Sequence, residues 1–501
     1  MPFLMGIDLG TSSLKVMIVD YFGNVKAISN RPYKFDSPYN GYAEQQPEVW
    51  WDACCQSIHE ALARGRLCAD DIKGIGFSGQ MHGLVLLDEN KRVIRPAILH
   101  CDSRSSEQVK HMNETYGLDF VRKWIMNPIF TGFLLPSLLW IRDNEAENYK
   151  KIKYVCLPKD YLRFKLTDLI CSDYSDASAT LAFDIENTCW SERILDKVNV
   201  PLDFFPDCYD TAAVVGTVTE RASKETGLKI GTPVVCGGGD QVMQGIGNGA
   251  TSTDIATVNI GTSGQICFQS DSPIANLKLN TNTFCGYKKG RWITMGATMS
   301  AGLCLRIYKN LFNEADYKAI DEQVQSLEPG SGGLIYLPYL NGERTPHVNP
   351  NISGMLMGLN NRINSPKIAR SVMEGVSYSL MQCIEVCSEL GLKPKLLVAS
   401  GGGAQSPTWL QIQADVFNLP LRVNVTQEQA ELGAAIAAGV GIGVYTSIEE
   451  GCKTAVKYDE NVITPNRKNH EIYQEYYQLY KDTYNACCGV LERVTLLGRK
   501  Y

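Results

Sequence analysis

From its first residues the chain sets a mostly apolar run, Phe3-Leu-Met-Gly-Ile-Asp8-Leu9, before a small-residue turn, Gly10-Thr11-Ser12-Ser13. Apolar residues then dominate again in Leu14-Lys-Val-Met-Ile-Val-Asp20. Two apolar runs around a Gly-hydroxyl tip predict a β-hairpin. The same arrangement returns at Val258-Asn-Ile-Gly261-Thr262-Ser263-Gly264, followed by Gln265-Ile-Cys-Phe268, and Thr262 lies 251 residues after Thr11, half the chain. Such a tip presents backbone N–H groups and hydroxyls, which suits a polyphosphate held from two sides by Gly10, Thr11, Ser12 and Gly261, Thr262, Ser263.

Between the hairpins, strand-like runs (72–77, 84–88, 233–236) alternate with helical stretches such as 47–64. The second half repeats this, with a long helix over 365–390, a strand over 396–400 and a small-residue helix over 430–439. The pattern is α/β. It predicts two homologous lobes, 1–248 and 249–501, divided near Gly247-Asn-Gly249, with a cleft between them. Tyr473, Tyr476, Tyr477, Tyr480 and Tyr484 are spaced as one face of a terminal helix, which reads as core packing rather than an aromatic ligand box.

At 501 residues, 44% hydrophobic and 20% charged, the chain can bury several cores, and disordered or low-complexity classes are excluded. The formal charge of −6, without a basic block, gives a nucleic-acid partner little support. No run is long and apolar enough for a membrane span, and an N-terminus that meets Asp8 at once does not read as a signal peptide. Seventeen cysteines at irregular spacings, with no C-x-x-C, point to reduced, mostly buried thiols and a cytoplasmic chain.

Several segments carry candidate chemistry. Gly74-Ile-Gly76-Phe-Ser-Gly79 matches G-x-G-x-x-G, but a strand follows where the dinucleotide fingerprint needs a helix, and no P-loop occurs. Pro233-Val-Val-Cys-Gly237-Gly238-Gly239-Asp240-Gln241 is a buried-type strand ending in glycines and a carboxylate. Asp240 there suits either a general base for a substrate hydroxyl or a helix N-cap. Asp8, acidic in an apolar strand beside a phosphate hairpin, calls for a partner such as hydrated Mg2+. Gln80, Met81 and His82, with Asp102 and Arg104 downstream, cluster donors and acceptors suited to a polyhydroxylated ligand. Six histidines show no zinc spacing. Gly401-Gly402-Gly403, after a strand and before a helix, offers bare backbone to a phosphate or a flat ring. The loop from Leu337 to His347, with Glu343 and Arg344, reads as an ordered lobe contact.

Together these segments resemble the FGGY carbohydrate kinases over nearly the whole chain, and within that family its xylulose-phosphorylating branch. The pieces that discriminate are Gly79–Gly83 with Pro96–Leu99, Leu157-Pro-Lys-Asp-Tyr-Leu162, Ser172–Ala177 and Gly342–His347, in that order. The resemblance implies an actin-like ATPase fold of two ribonuclease H-like lobes, with ATP and Mg2+ as cofactors. The implied activity is in-line phosphorylation of a ketopentose, D-xylulose to D-xylulose 5-phosphate. It implies Asp240 as catalytic base and Asp8 as important near Mg2+ and phosphate. Met81 and His82 would touch the sugar, with Gln80, Asp102 and Gln241 beside them, and Gly401, Gly402 and Gly403 would lie by the nucleotide. A homodimer is compatible with it. The chain departs from the branch at His100-Cys101, commonly Trp-Asn, at Gln241, often Asn, and at Ser137, usually Lys. The first two departures leave other acceptors open: ribulose, ribitol, glycerol or gluconate. A non-catalytic actin-like ATP-binding protein is the reading from another class.

Overall fold

The computed structural model describes residues 2–500. Strand Phe3–Leu9 is almost wholly enclosed, because its run of apolar residues is covered on both faces. It pairs antiparallel with Ser13–Asp20, which pairs antiparallel with Val25–Pro32. On its other side it runs parallel to Ile72–Gly79, which runs parallel to Pro233–Val235 and to the short strand Gly238–Gly239. Val214–Thr217 closes the edge antiparallel to Pro233–Val235.

The second sheet repeats the order. Ile255–Ile260, Gly264–Ser270 and Trp292–Thr298 form an antiparallel meander, with Leu396–Ser400 and then Leu421–Val423 parallel on the other side and Asn282–Cys285 as the added edge. Both sheets thus have the three-antiparallel, two-parallel arrangement expected of ribonuclease H-like lobes. The hairpins close as anticipated, with Gly10 N–H donating to the Ser13 carbonyl at 3.0 Å and Gly261 N–H to the Ser263 carbonyl at 3.0 Å.

Helix Pro47–Gly65 starts on Pro47, whose missing N–H costs nothing there, and buries Trp50, Cys54, Ile58 and Ala61 against the first sheet. Helix Ser365–Glu389 begins at Asn364, whose side chain accepts from Lys367 N–H. The terminal helix, Arg467–Gly498, is longer than expected and buries Tyr473, Tyr477 and Tyr480. The Tyr473 hydroxyl meets Arg370 at 2.7 Å and Glu374 at 3.1 Å, so the tyrosine face packs on Ser365–Glu389 rather than forming a ligand box.

Helix Gln429–Gly441, from the second half, lies on the first sheet rather than on its own. A Cβ at Gly6 would lie 1.9 Å from the Glu431 carbonyl oxygen, and one at Gly76 would lie 1.9 Å from that of Ala434. Gly74-Ile-Gly76 is therefore a seat for a helix, which accounts for glycines there without any dinucleotide. The same helix crosses Asp240–Gly247 at Gly433 and Gly247, where Cβ atoms would stand 2.0 and 1.8 Å from backbone oxygens of Met243 and Gln429.

Candidate functional site

Two cavities flank the tip of the second hairpin. Gly261 and Thr262 line the larger, about 420 Å3. The next residue, Ser263, lines the smaller, about 270 Å3, where the two halves meet. Whatever passes between them crosses one turn of backbone.

The smaller cavity gathers Gln80, Met81, His82, Asp240 and Gln241 from the first half. Asp240 opens helix Asp240–Gly247 as its first residue, and Gly239 is the N-cap position. The carboxylate is thus directed to the cleft and does not serve as the cap. Enclosure in the cleft, with the neighbouring Asp8 carboxylate, pushes Asp240 up to about 7, against the opposing hydrogen bonds of Gln241. A carboxyl poised there can take a proton from an alcohol near neutral pH.

His82 follows the strand end with φ of 73°, a left-handed conformation uncommon for a side-chain-bearing residue. Its ring lies against Phe133 at 4.2 Å and Phe284 at 5.9 Å between centroids. Burial lowers the imidazole to about 3, so it is neutral at working pH. Nδ1 lies 2.7 Å from the Ala179 carbonyl, which only accepts, so Nδ1 carries the proton and Nε2 remains an acceptor. Gln80 accepts from the Thr11 hydroxyl at 3.1 Å, while its buried Nε2 and the Oε1 of Gln265 have no protein partner. An unpaired donor and an unpaired acceptor lining one cavity match a polyhydroxylated molecule.

Asp102 is not brought to this cavity. Its oxygens take Arg104 Nε at 3.0 Å, Arg104 Nη2 at 2.8 Å and Ala43 N–H at 2.6 Å, so its acceptors are consumed within the loop. That loop contributes His100 instead, one of the departures from the branch pattern. Arg344, read from the sequence as part of a lobe contact and not as a site residue, reaches the same cavity from the second half and has no carboxylate within ion-pair distance among the described residues. The carboxylate of its neighbour Glu343 is held by Met299 N–H and Arg344 N–H, each at 2.7 Å. A charged pair inside a proline-bearing loop was the available signal.

Asp8 accepts the Ser78 hydroxyl at 2.6 Å, and burial holds its carboxyl above the usual range. Glu431, also unanticipated, is buried; burial and Asp8 push it up to about 8, Lys15 stands 3.7 Å away, and its Oε1 has no hydrogen-bond partner. The Asp8 charge thus raises both Glu431 and Asp240, and buried carboxyls gathered this way fit a cation. Among the described residues no three ligating side chains converge to cage one. One or two carboxylates, with water and phosphate oxygens completing the shell, are what Mg2+ needs.

The larger cavity has apolar walls from Leu305, Met373 and Trp409 and a polar side at Asp321 and Gln405. Gly402 and Gly403 line it, while Gly401 turns the chain with φ of 75°. A short 3-10 turn, Gly402–Gln405, precedes helix Pro407–Phe417, so the glycines stand before the helix rather than at its first turn. Gly10, Thr11 and Ser12 line neither cavity. Tyr33 donates to the Gly10 carbonyl at 2.6 Å and Gln45 to that of Thr11 at 2.9 Å, which fixes their tip.

Residues 3–247 match the model of the FGGY family of carbohydrate kinases, N-terminal domain, and residues 256–442 that of its C-terminal domain. The chain is 37% identical over 482 residues to a xylulose kinase of Staphylococcus epidermidis, covering 96% of each. It is 36% identical over 486 residues to a xylulose kinase of Bacillus subtilis, covering 97% of each. Its fold resembles the crystal structure of a "xyloylose kinase" from Brucella ovis with a TM-score of 0.91 at 29% identity, over 97% of this chain and 100% of the other.

Proposed function

The chain belongs to the FGGY family of carbohydrate kinases, and on that premise we propose that it transfers the γ-phosphoryl group of ATP to the terminal hydroxyl of D-xylulose, giving D-xylulose 5-phosphate. The observation that carries this reading is the pair of cavities joined by consecutive residues Thr262 and Ser263. Adenosine occupies the apolar cavity beside Gly402 and Gly403, with Gly401 turning the chain behind it. The phosphates extend over Gly261, Thr262 and Ser263 and face Gly10, Thr11 and Ser12.

The sugar sits against Met81 and Gln241, with hydroxyls paired to Gln80 Nε2 and His82 Nε2. Asp240 accepts the proton of the attacking hydroxyl as that oxygen reaches phosphorus in line. Asp8 is assigned to Mg2+, which when bound supplies positive charge to the phosphate oxygens. The lobes divide at 248/249 in this reading, where helix Asp240–Gly247 ends. Seventeen free cysteines fit a reducing cytoplasm, and no helix among the described residues is long and apolar enough to cross a membrane. A homodimer belongs to the same reading and is tested by sedimentation; Val490, Val494 and Leu497 leave an exposed apolar face on the terminal helix.

Coupled measurement of ADP release across D-xylulose, L-xylulose, D-ribulose, ribitol, glycerol and gluconate, with Asp240→Ala as control, tests the reaction. The expected result is the highest kcat/KM with D-xylulose and near-zero turnover in the control. Preference for another acceptor overturns the substrate; stimulation by none overturns the reaction.

A further inference from the structure

Two segments singled out in the sequence, 157–162 and 172–177, have no part in the chemistry described so far. Helix Pro158–Thr167 carries Lys159, Asp160 and Arg163 with their side chains wholly enclosed, and Asp173 and Asp176 meet them from the facing segment. Lys159 Nζ stands 2.7 Å from Asp160, 2.6 Å from Asp173 and 3.3 Å from Asp176, and Arg163 lies 2.9 Å from Asp160. Three carboxyls face two cations, and burial holds Asp176 well above the ordinary range. Buried charge of this kind is a poor source of stability and a good means of fixing geometry.

The cluster grips the strand that delivers Asp240. Arg163 donates to the Cys236 carbonyl at 2.5 Å. Asp173 caps helix Tyr174–Ser178 and accepts a hydrogen bond from the Ser175 hydroxyl, while Ser175 Oγ accepts Gly239 N–H at 3.0 Å. Gly237 and Gly238 between these two anchors have no side chains of their own, and Gly237 has φ of 78°. The same segment reaches the other walls of the sugar cavity. The Ala179 carbonyl takes His82 Nδ1–H, and Ser178 Oγ accepts Cys285 N–H at 2.9 Å beside Phe284.

We propose that Ser175, held by the Lys159–Asp173 pair, is a positioning residue that sets the place of Asp240 through the Gly239 N–H, so that the glycine run behind the base is fixed from outside itself. This rests on the reading of Asp240 as the base. Removing the acceptor frees the end of the run next to the base, leaving it to the Arg163 anchor at Cys236 and the backbone pairing of Gly238 and Gly239 with Ser78 and Gly79.

The test measures kcat, KM for D-xylulose and for ATP, and thermal midpoint in Ser175→Ala, with Asp240→Asn in parallel. The expected result is a kcat lowered about 10–100-fold, the effect of losing one buried hydrogen bond that holds the backbone next to the base, with KM for ATP unmoved. A role confined to stability would lower the midpoint and leave kcat per folded molecule unchanged, and that result overturns the proposal. If Ser175→Ala does not fold, Ser175→Cys, nearly isosteric with a weaker acceptor, carries the same readout. Full activity in Asp240→Asn removes the base and this inference with it. Loss there, with Ser175→Ala at wild-type kcat, removes the inference alone.

Discussion

Asp240→Asn should make the ligand-free protein more stable while sharply lowering turnover, and the gain should depend on pH. The ordinary aspartate value is 3.8, and enclosure with Asp8 nearby carries this carboxyl to about 7. Between those values the unfolded chain has released the proton and the folded chain keeps it. The folded state therefore loses stability as pH rises through the window, and the loss is complete above 7. At about 1.4 kcal/mol per pH unit, it amounts to up to about 4 kcal/mol at pH 8 and about 1 kcal/mol at pH 4.5. Asparagine has no such proton, so the difference between variant and wild type should widen by about 3 kcal/mol from pH 4.5 to 8. Urea unfolding of the ligand-free proteins, followed through the seven tryptophans, measures this, and phosphoryl transfer assayed alongside should fall about 10²–10⁴-fold. A stability difference equal at both pH values refutes the placement of Asp240 in an enclosed site beside Asp8.

Gly76→Ala places a methyl group 1.9 Å from the Ala434 carbonyl oxygen, so helix Gln429–Gly441 must retreat, and calorimetry should show a loss of about 1–3 kcal/mol or more. Gly489→Ala, in open space on the terminal helix, should instead gain about 0.5–1 kcal/mol. Arg344→Gln removes a cation that has no carboxylate partner among the described residues from the cavity proposed for the sugar, so KM for the sugar should rise about tenfold or more while KM for ATP holds; initial-rate kinetics with each substrate varied in turn checks it, and an unchanged sugar KM counts against contact.

The duplicated hairpin was legible because both copies need the same short turn, and local sequence decides a turn. That Asp240 would face a cleft was legible for a similar reason, since three glycines ahead of a carboxylate are costly unless backbone must turn sharply there. Asp102 misled because a carboxylate two residues before Arg104 closes on that arginine, a local pairing that competes with any ligand. Arg344 and Glu431 could not be placed from their neighbours in sequence, since each matters through a long-range docking of one half on the other. The seat of helix Gln429–Gly441 on Gly6 and Gly76 is of that kind. The glycines were visible, but which backbone fills the space above them is decided by the folded chain. At Gly74–Gly79 the same spacing resembled a nucleotide fingerprint, and only the strand after it gave reason to set that aside.

That seat has a consequence for dividing the molecule. A fragment ending at residue 248 would carry the whole first sheet yet leave the glycine-lined face beneath Glu431 and Ala434 bare, and a fragment beginning at 249 would carry a helix whose bed is elsewhere. Split reporters or swaps between relatives that cut at the midpoint would thus exchange strands and hairpins cleanly but tear one packing layer. A chimera has to move helix Gln429–Gly441 together with strands Phe3–Leu9 and Ile72–Gly79, so the unit of inheritance for this lobe is discontinuous in sequence.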